Sequence, residues 1–276
     1  MIKLDKSKYE KVLKPLMEVT INNLFALSVV EEKVDGFVYV DDTENPATFY
    51  IIHPYGMSLL FGETDNNDFN TKFLDYALNT FRIRDKYEWL QAYPESWNEK
   101  IGILFGDNLI KFKDNQANSG SNKIEENTRV NFKFNKEKYL DFRDKNNDKD
   151  FIILRTNKEM FENMQGSVVP KYFWNNAKDF SSQGIGFSLI YNNRLASTAY
   201  SAFIRGNKLE IGIETIETFR GKGFALYTCS ALIDYCLGND FEPIWSCRLE
   251  NTGSFVLAQK LGFETTIYIP YYRLKC

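Results

Sequence analysis

Alternation of apolar and polar positions is clearest in the second half of the chain. Short alternating or continuous apolar runs predict strands, and apolar residues three or four apart predict the helices between them. The predicted strands cover residues 151–154, 186–191, 195–204, 208–216, 243–248 and 263–271. The predicted helices lie within 158–178, with an interruption near 166–170, from 220 to a cap at Gly238, and over 251–261. Asn192-Asn193 and Gly206-Asn207 tolerate positive φ, so they predict the tight turns of a three-stranded antiparallel meander.

The first half shows a similar succession of elements. Its predicted helices cover residues 9–30, 69–82 and 96–105. Its predicted strands cover residues 36–40, 48–53, 57–62, 88–93, 109–113 and 129–134. Because this order nearly matches that of the second half, we hypothesise that the first half is a degenerate repeat of the same fold.

Two polar stretches interrupt these patterns. Residues 114–128 are poor in apolar groups and predict a loop within the first half. Residues 143–150 are densely charged and precede a predicted strand. A length of 276 residues favours two domains, and we place them at 1–145, an α+β domain, and 146–276.

Composition narrows the classes of function. The chain is 43% hydrophobic and 16% aromatic, which is typical of a folded protein. Its formal net charge of -3 provides no positive field for nucleic acid, so we expect no nucleic-acid partner, and any phosphate group must be bound by local geometry. No secretory signal or membrane-spanning apolar run is visible, so we expect a cytoplasmic protein without a membrane partner.

Cysteine and histidine usage indicates no metal chemistry. Cys229, Cys236, Cys247 and Cys276 show no metal-binding spacing, and we expect reduced thiols on buried faces. His53, the single histidine, follows an apolar run and is expected to be structural. We therefore predict no metal site and no histidine-based catalytic triad.

A glycine-rich turn follows the predicted strand 208–216 and reads Arg-Gly-Lys-Gly-Phe-Ala over residues 220–225. Small residues let the backbone approach a ligand, and the N–H groups at a helix start favour anions such as a pyrophosphate. Glycines also occur in such turns for steric reasons alone. The turn by itself therefore leaves a phosphate site and a plain structural turn equally open.

This turn resembles the Arg/Gln-x-x-Gly-x-Gly/Ala motif of the GNAT superfamily of N-acetyltransferases. Arg220, Gly223 and Ala225 occupy its defining positions. Residues 251–263, with Asn-x-x-Ser-x-x-Leu followed by Leu-Gly-Phe, are similar to the second signature of the superfamily at the expected distance. The resemblance covers the chain from about residue 151 to its end.

The resemblance implies an acyl-CoA N-acyltransferase fold for residues 146–276, of the α/β (α+β) class with a mixed, mostly antiparallel sheet. Segments 210–215, 220–223 and 243–245 look closest to the zwittermicin A resistance-type branch, which typically consists of bacterial two-domain proteins.

The same resemblance implies acetyl-CoA as a cosubstrate. The backbone of Ile213, Glu214 and Thr215 would pair with its pantetheine arm. Six residues of the turn would wrap its pyrophosphate: Arg220, Gly221, Lys222, Gly223, Phe224 and Ala225. Asn251 would bond the cofactor, with Ser254 one turn further. Asn251 is also a good helix N-cap, and the two roles are compatible.

The proton-transfer residues do not follow the pattern of the superfamily. The usual tyrosine acid is replaced by Ala258, and the position of an acidic base in some members is Ser246. Glu210 and Glu214 share one face of a strand and are our candidate bases, with Glu210 preferred and an exposed or paired strand face as the alternative. The backbone N–H of Thr215 is the expected oxyanion donor. Three tyrosines are possible acids or packing residues: Tyr200, Tyr227 and Tyr268.

These residues predict an acetyl-CoA-dependent N-acetyltransferase that acts on a primary amine of a small molecule, as a monomer or homodimer. One alternative is a CoA-binding module with weakened catalysis, and a further one is an aminoacyl-tRNA-dependent transferase with tandem domains. The corresponding turn in the first half, residues 61–69, carries three acids and lacks a second glycine. We expect that turn to repel a pyrophosphate, so the first half would serve as a packing partner or a wall of the acceptor cleft.

Overall fold

The computed structural model describes residues 1–112, 123–143 and 151–276. Its helices are α1 (Glu10–Met17), α2 (Leu24–Val30), α3 (Asn67–Ala77), α4 (Ser96–Phe105), α5 (Lys136–Arg143), α6 (Lys158–Asn163), α7 (Ala177–Gln183), α8 (Phe224–Gly238) and α9 (Thr252–Lys260). Its strands are β1 (Ile2–Lys3), β2 (Phe37–Val40), β3 (Thr48–Ile52), β4 (Met57–Gly62), β5 (Glu88–Tyr93), β6 (Leu109–Lys111), β7 (Ile124–Phe134), β8 (Ile152–Arg155), β9 (Gly186–Tyr191), β10 (Arg194–Arg205), β11 (Lys208–Thr215), β12 (Glu242–Ile244), β13 (Ser246–Arg248) and β14 (Phe263–Leu274).

The chain forms two compact units. The N-terminal unit comprises Met1–Arg129, Arg248–Glu250 and Tyr268–Cys276, and the C-terminal unit comprises Val130–Cys247 and Asn251–Ile267. The strands β7, β13 and β14 therefore contribute residues to both units. The boundary placed between residues 145 and 146, and most of the charged stretch 143–150, lie outside the described residues, and that division of the chain stays a prediction.

The C-terminal unit contains a five-stranded mixed sheet in the order β12-β11-β10-β9-β8. Its pairs are antiparallel from β8 to β11, and β11 pairs in parallel with β12. Asn192 and Asn193 both have positive φ, of 49° and 57°, and Gly206 has a φ of 56°. These are the backbone conformations that tight hairpin turns require, so the predicted three-stranded meander is confirmed.

The N-terminal unit repeats that strand order and polarity. Its sheet runs β1-β2-β3-β4-β5, with antiparallel pairs up to β4 and a parallel β4–β5 pair. The last residues of β14 add a further antiparallel strand beside β5. The two halves thus share the strand arrangement expected of repeats of one fold.

Each unit has its own apolar core. In the C-terminal unit, α8 packs on β9, β10 and β11, and Leu189, Ala196, Phe219 and Phe224 form a buried cluster. In the N-terminal unit, aromatic residues of α3 and α4 pack with Tyr50, Leu60 and Leu90 of the sheet. The phosphate-loop candidate therefore leaves a buried strand and enters a helix that is anchored on the sheet.

The single helix predicted over residues 9–30 is wrong, because the chain forms α1 and α2 with a break at residues 18–23. The Asn23 side chain donates from Nδ2 to the carbonyl oxygens of Leu16 at 2.9 Å and Val19 at 3.3 Å. The side-chain amide thus adds a donor to two carbonyl groups around the end of α1, where the Leu16 carbonyl also accepts from the Val19 N–H at 3.2 Å.

The loop predicted over residues 114–128 is wrong in its last part, because β7 begins at Ile124. Residues 113–122 lie outside the described part of the chain. Glu125 and Asn127 are buried in this strand, and Asn127 Nδ2 donates to Glu125 Oε1 at 3.0 Å. Asn127 Oδ1 in turn accepts from Arg248 at 3.0 Å. These bonds allow polar residues to occupy a buried strand.

Several other element boundaries differ from the prediction. The strand predicted over 243–248 is two strands, β12 and β13, separated at Trp245, whose carbonyl oxygen accepts a bond from the Phe132 N–H. Of the interrupted helical segments predicted within 158–178, the first is α6, which ends at Asn163. The next helix, α7, begins only at Ala177 after a cap by Asn176, whose side chain accepts from the Asp179 N–H, and it extends to Gln183. The helix predicted over 69–82 ends at Ala77.

Among the described residues, none of the helices is both long and apolar enough to cross a membrane.

Candidate active site

A cleft of about 610 Å³ opens in the C-terminal unit where β11 ends and where α8 and α9 begin. It is lined by Ser167, Val168, Ile213, Glu214, Thr215, Phe219, Arg220, Gly221, Gly223, Phe224, Ala225, Leu226, Asn251, Gly253, Ser254, Val256, Leu257 and Lys260. Ten of the eleven residues predicted to bind the cofactor thus line one cleft, although they come from three separate segments of the chain. The exception is Lys222.

The glycine turn forms one wall of this cleft. Gly221 and Gly223 have φ angles of 78° and 76°, in the left-handed region that L side chains rarely adopt. A Cβ atom placed on either glycine would have no other heavy atom within 4 Å, apart from its chain neighbours. The glycines are therefore required by the backbone conformation and not by crowding, and the space in front of the turn is open.

The start of α8 differs from that of the other helices near the cleft. Gly223 is its N-cap residue and, within the described part of the chain, no side chain caps it. By contrast, Asn157, Asn176 and Asn251 cap α6, α7 and α9 by accepting backbone N–H bonds. The Leu226 N–H donates to the Gly223 carbonyl oxygen at 3.0 Å, and the N–H groups before it receive no side-chain cap among the described residues. The start of the helix thus presents backbone donors to the open space before the turn, where the helix dipole also favours an anion.

The end of β11 carries a set of hydrogen-bonded hydroxyl groups beside the cleft. Thr215 Oγ1 lies 2.9 Å from Ser197 Oγ, and Ser197 Oγ lies 3.1 Å from Thr228 Oγ1 on α8. The Arg220 guanidinium donates from Nε to the Thr215 carbonyl oxygen at 3.1 Å. The strand end is thereby fixed both to the helix and to the turn.

Glu214 is buried, and its carboxylate is bonded on both oxygens. Oε2 accepts from the backbone N–H groups of Ser167 at 2.9 Å and Val168 at 3.0 Å. Oε1 accepts from Arg220 at 3.2 Å. A carboxylate that is held by these donors is fixed in place.

Asn251 and Ser254 lie at the start of α9. Asn251 Oδ1 accepts from the Ser254 backbone N–H at 3.2 Å, so Asn251 caps this helix as the sequence suggested. Ser254 Oγ accepts from the Trp245 ring N–H at 3.3 Å. Both residues also line the cleft, so the capping role and a cofactor contact are compatible here.

Two predicted site residues do not line the cleft. The Lys222 ammonium lies 5.3 Å from the centroid of the Tyr191 ring, in a cation–π contact. Glu210 is buried on β11, opposite Phe203 of β10 and Ile244 of β12. The structure therefore separates the two candidate bases, because Glu214 borders the cleft and Glu210 lies further back along the strand.

The sequence model of the GNAT acetyltransferase family matches residues 14–272, which is most of the chain. The chain belongs to the GNAT acetyltransferase family. It is 27% identical over 272 residues to a Bacillus subtilis (strain 168) protein named Uncharacterized N-acetyltransferase YdfB. That similarity covers 98% of this chain and 97% of the relative.

Solved GNAT structures are similar over nearly the whole chain. A GCN5-related N-acetyltransferase-like protein from Streptococcus suis has a TM-score of 0.71 at 19% identity, covering 98% of this chain and all of its own. A tandem GNAT protein from the clavulanic acid biosynthesis pathway has a TM-score of 0.61 at 8% identity, covering 99% of this chain and 97% of its own. At these identities the likeness concerns the fold. The mixed α/β GNAT fold predicted from the sequence is confirmed, and a tandem protein fits the arrangement in two units.

The residues considered for proton donation in this GNAT protein lie outside the cleft lining. Ala258, at the position of the usual tyrosine, is fully buried. Tyr200 is buried against Phe173, and Tyr227 packs on Phe151 with ring centroids 4.8 Å apart. Tyr268 is 53% exposed and belongs to the N-terminal unit. None of these three candidate tyrosines is among the cleft-lining residues given above.

The corresponding turn in the N-terminal unit of this GNAT chain has a different construction. A Cβ atom on Gly62, whose φ is 94°, would lie 2.1 Å from the Ala47 carbonyl oxygen, so the space beside this glycine is filled. The helix that follows, α3, is capped by Asn66, whose side chain accepts from the Phe69 N–H at 3.0 Å. The turn of the first half thus lacks the two features that make the second turn suitable for an anion, namely open space and an uncapped helix.

The histidine and three of the four cysteines occupy buried positions and do not line this cleft. His53 is completely buried, and burial lowers its pKa to about 3, with a smaller contribution from Lys86. Cys229, Cys236 and Cys247 are buried as well, and burial raises the pKa of the Cys236 thiol to about 12. Cys276, which was also expected to be buried, is exposed. Within the described residues, no three His, Cys, Asp or Glu side chains are grouped to hold a metal ion.

Proposed function

We propose that this GNAT protein is an acetyl-CoA-dependent N-acetyltransferase whose acceptor is a primary amine of a small molecule, such as an antibiotic or a metabolite. The proposal combines membership of the acetyltransferase family with the construction of the cleft. Assignment to the zwittermicin A resistance-type branch, a cytoplasmic location and a monomeric or homodimeric state stay predictions.

The observation that carries this proposal is the open glycine turn before an uncapped helix. Gly221 and Gly223 adopt positive φ with no atom in front of them, and α8 begins without a side-chain cap among the described residues. A pyrophosphate group needs close backbone approach and several N–H donors, and this turn provides both. Arg220, whose side chain is 59% exposed, adds a positive charge beside it.

The remaining cleft residues suit the other parts of the cofactor. The edge of β11 at Ile213, Glu214 and Thr215 would pair with the amides of the pantetheine arm. Asn251 and Ser254 would bond the cofactor from the start of α9 while Asn251 keeps its capping bond. Bound acetyl-CoA would supply an acetyl group activated as a thioester.

The chain itself must stabilise charge and remove a proton. The Thr215 backbone N–H, at the end of β11, is the proposed donor to the oxygen on which charge develops. An alkylamine with a pKa of about 10.4 is mostly protonated at neutral pH, so a base has to accept its proton. We propose Glu210 for this role, acting through water because Glu210 does not line the cleft.

A second candidate function, a CoA-binding module with weakened catalysis, is favoured by the buried Ala258 in place of the usual tyrosine. The two functions share the same cofactor contacts and differ in turnover. The aminoacyl-tRNA-dependent alternative is disfavoured by the intact glycine turn and by the net charge of -3.

The discriminating experiment measures release of CoA from acetyl-CoA by the purified full-length chain. A panel of amines would include polyamines, aminoglycosides, amino sugars and peptide amines. Amine-dependent release above the rate without amine supports the enzyme. Binding of CoA without turnover on any amine supports the binding module instead.

A further inference from the structure

The carboxylate of Glu214 connects two separate walls of the cleft. On one side it accepts hydrogen bonds from the backbone N–H groups of Ser167 and Val168, which lie in the segment between α6 and α7. On the other side it accepts a bond from Arg220 in the glycine turn. Ser167, Val168 and Arg220 all line the cleft.

Gly166 shows how closely this segment is fitted to Glu214. Its φ is 144°, and a Cβ atom there would lie 2.5 Å from Cγ and 2.6 Å from Oε2 of Glu214. A side chain at position 166 would therefore collide with the carboxylate. The glycine allows the backbone to approach until both following N–H groups reach one oxygen atom.

We propose that Glu214 is a positioning residue that couples the segment Gly166–Val168 to Arg220, so that binding of a pyrophosphate group at the turn sets this second wall of the cleft. The inference rests on the proposed function for the identity of the bound group. Glu214 acts through Arg220 on one side and through two backbone amides on the other.

The bonding of Glu214 explains why this residue is poorly suited to be the general base. Its side chain is 7% exposed, and both oxygens already accept bonds from a guanidinium or from amides. Its function in the cleft is thus to hold donors in place, which leaves proton removal to another group.

Arg220 is the member of this set that a cofactor would reach. Its side chain is largely exposed, and a planar guanidinium can bond a carboxylate and a phosphate oxygen at the same time. A bound pyrophosphate would restrict the guanidinium and, through Glu214, the two amides of the opposite wall. Cofactor binding would in this way order the wall before the acceptor arrives.

The test is hydrogen exchange of the Ser167 and Val168 amides in the full-length chain without CoA. We expect Arg220→Ala to accelerate exchange of both amides about fivefold or more, because the carboxylate loses one of its two attachments. Arg220→Lys, which keeps the charge, should restore part of the protection. Glu217→Gln, an exposed change in the same loop, is the matched control and should leave exchange as in the wild type.

Exchange in the presence of saturating CoA provides the second readout, which a merely structural bond would not change. In the wild type CoA should slow exchange of these amides further, and in Arg220→Ala it should not. Equal exchange in the wild type and Arg220→Ala without CoA would overturn the coupling. Absence of CoA binding to the wild type by calorimetry would instead contradict the proposed function, and the exchange comparison without CoA would still decide whether Glu214 couples the two walls.

Discussion

The ring of Tyr200 lies across the backbone of Gly212, so closely that a Cβ atom on Gly212 would be 2.5 Å from Cζ of the ring. The two residues are partners across the β10–β11 pair, and Gly212 lies between Glu210 and Glu214 on one face of β11. Tyr200 is fully buried, with the Phe173 ring 5.6 Å away. Glycine at this position thus leaves room for an aromatic ring directly over the strand.

We predict that Gly212→Ala destabilises the chain by about 1–3 kcal/mol, because the new Cβ would collide with the fully buried Tyr200 ring and force it to shift. Thermal unfolding of the full-length variant measures this loss. Gly238→Ala is the matched control, since a Cβ at the end of α8 would have no other atom within 4 Å. An unchanged unfolding temperature for Gly212→Ala would show that the ring does not depend on the glycine.

Glu210→Gln should lower the rate of acetyl transfer mainly at pH values below the pKa of the amine, where a proton must be removed from the nucleophile. The measurement is the pH dependence of kcat/KM for an amine found in the panel. Glu242→Gln, an exposed glutamate on β12, is the control and should behave as the wild type. A pH–rate profile of Glu210→Gln that coincides with the wild-type profile would exclude Glu210 as the base.

The stability of the N-terminal unit should depend on the protonation of His53. Burial lowers the pKa of this histidine to about 3 in the folded chain, whereas an unfolded chain has a value near 6.5. Below pH 6.5 the unfolded state therefore binds a proton that the folded state does not, and stability falls as the pH falls. The stabilising contribution is fully present only above about pH 6.5.

His53→Gln removes this titration, so between pH 7 and pH 5 the wild type should lose about 2 kcal/mol more of its free energy of unfolding than the variant. Urea unfolding of both proteins at each pH measures the difference. Parallel losses in the two proteins would show that His53 gains a proton in the folded state as readily as in the unfolded state.

Local signals in the sequence were sufficient for much of the fold. Asn192-Asn193 predicted its turn because asparagine tolerates positive φ, and the short apolar runs at β4, β5 and β9 predicted strand bounds that agree with the structure. The position of α7 was not predicted correctly, because the predicted helical region ended at residue 178, whereas α7 starts at Ala177 after the Asn176 cap and extends to Gln183.

Other features depend on partners distant in the sequence. Asn127 is buried in β7 because Arg248 bonds it, and no local pattern indicates a partner 121 residues away. The same holds for the candidate site. The two motifs contain Arg220 and Asn251, and both residues line the cleft. The hydrogen bond from the Ser167 N–H to Glu214 joins residues 47 positions apart, and no local pattern in the sequence indicates it.

Binding of CoA to Gly223→Asp, compared with Gly223→Asn, tests the cofactor site most directly. Both side chains tolerate the left-handed conformation at φ 76°, and both enter the same open space, so the variants differ essentially in one negative charge. We predict by titration calorimetry that Asp weakens CoA binding about a hundredfold or more relative to Asn, because the carboxylate would lie against the pyrophosphate. Equal affinities in the two variants would contradict the placement of the cofactor at this turn.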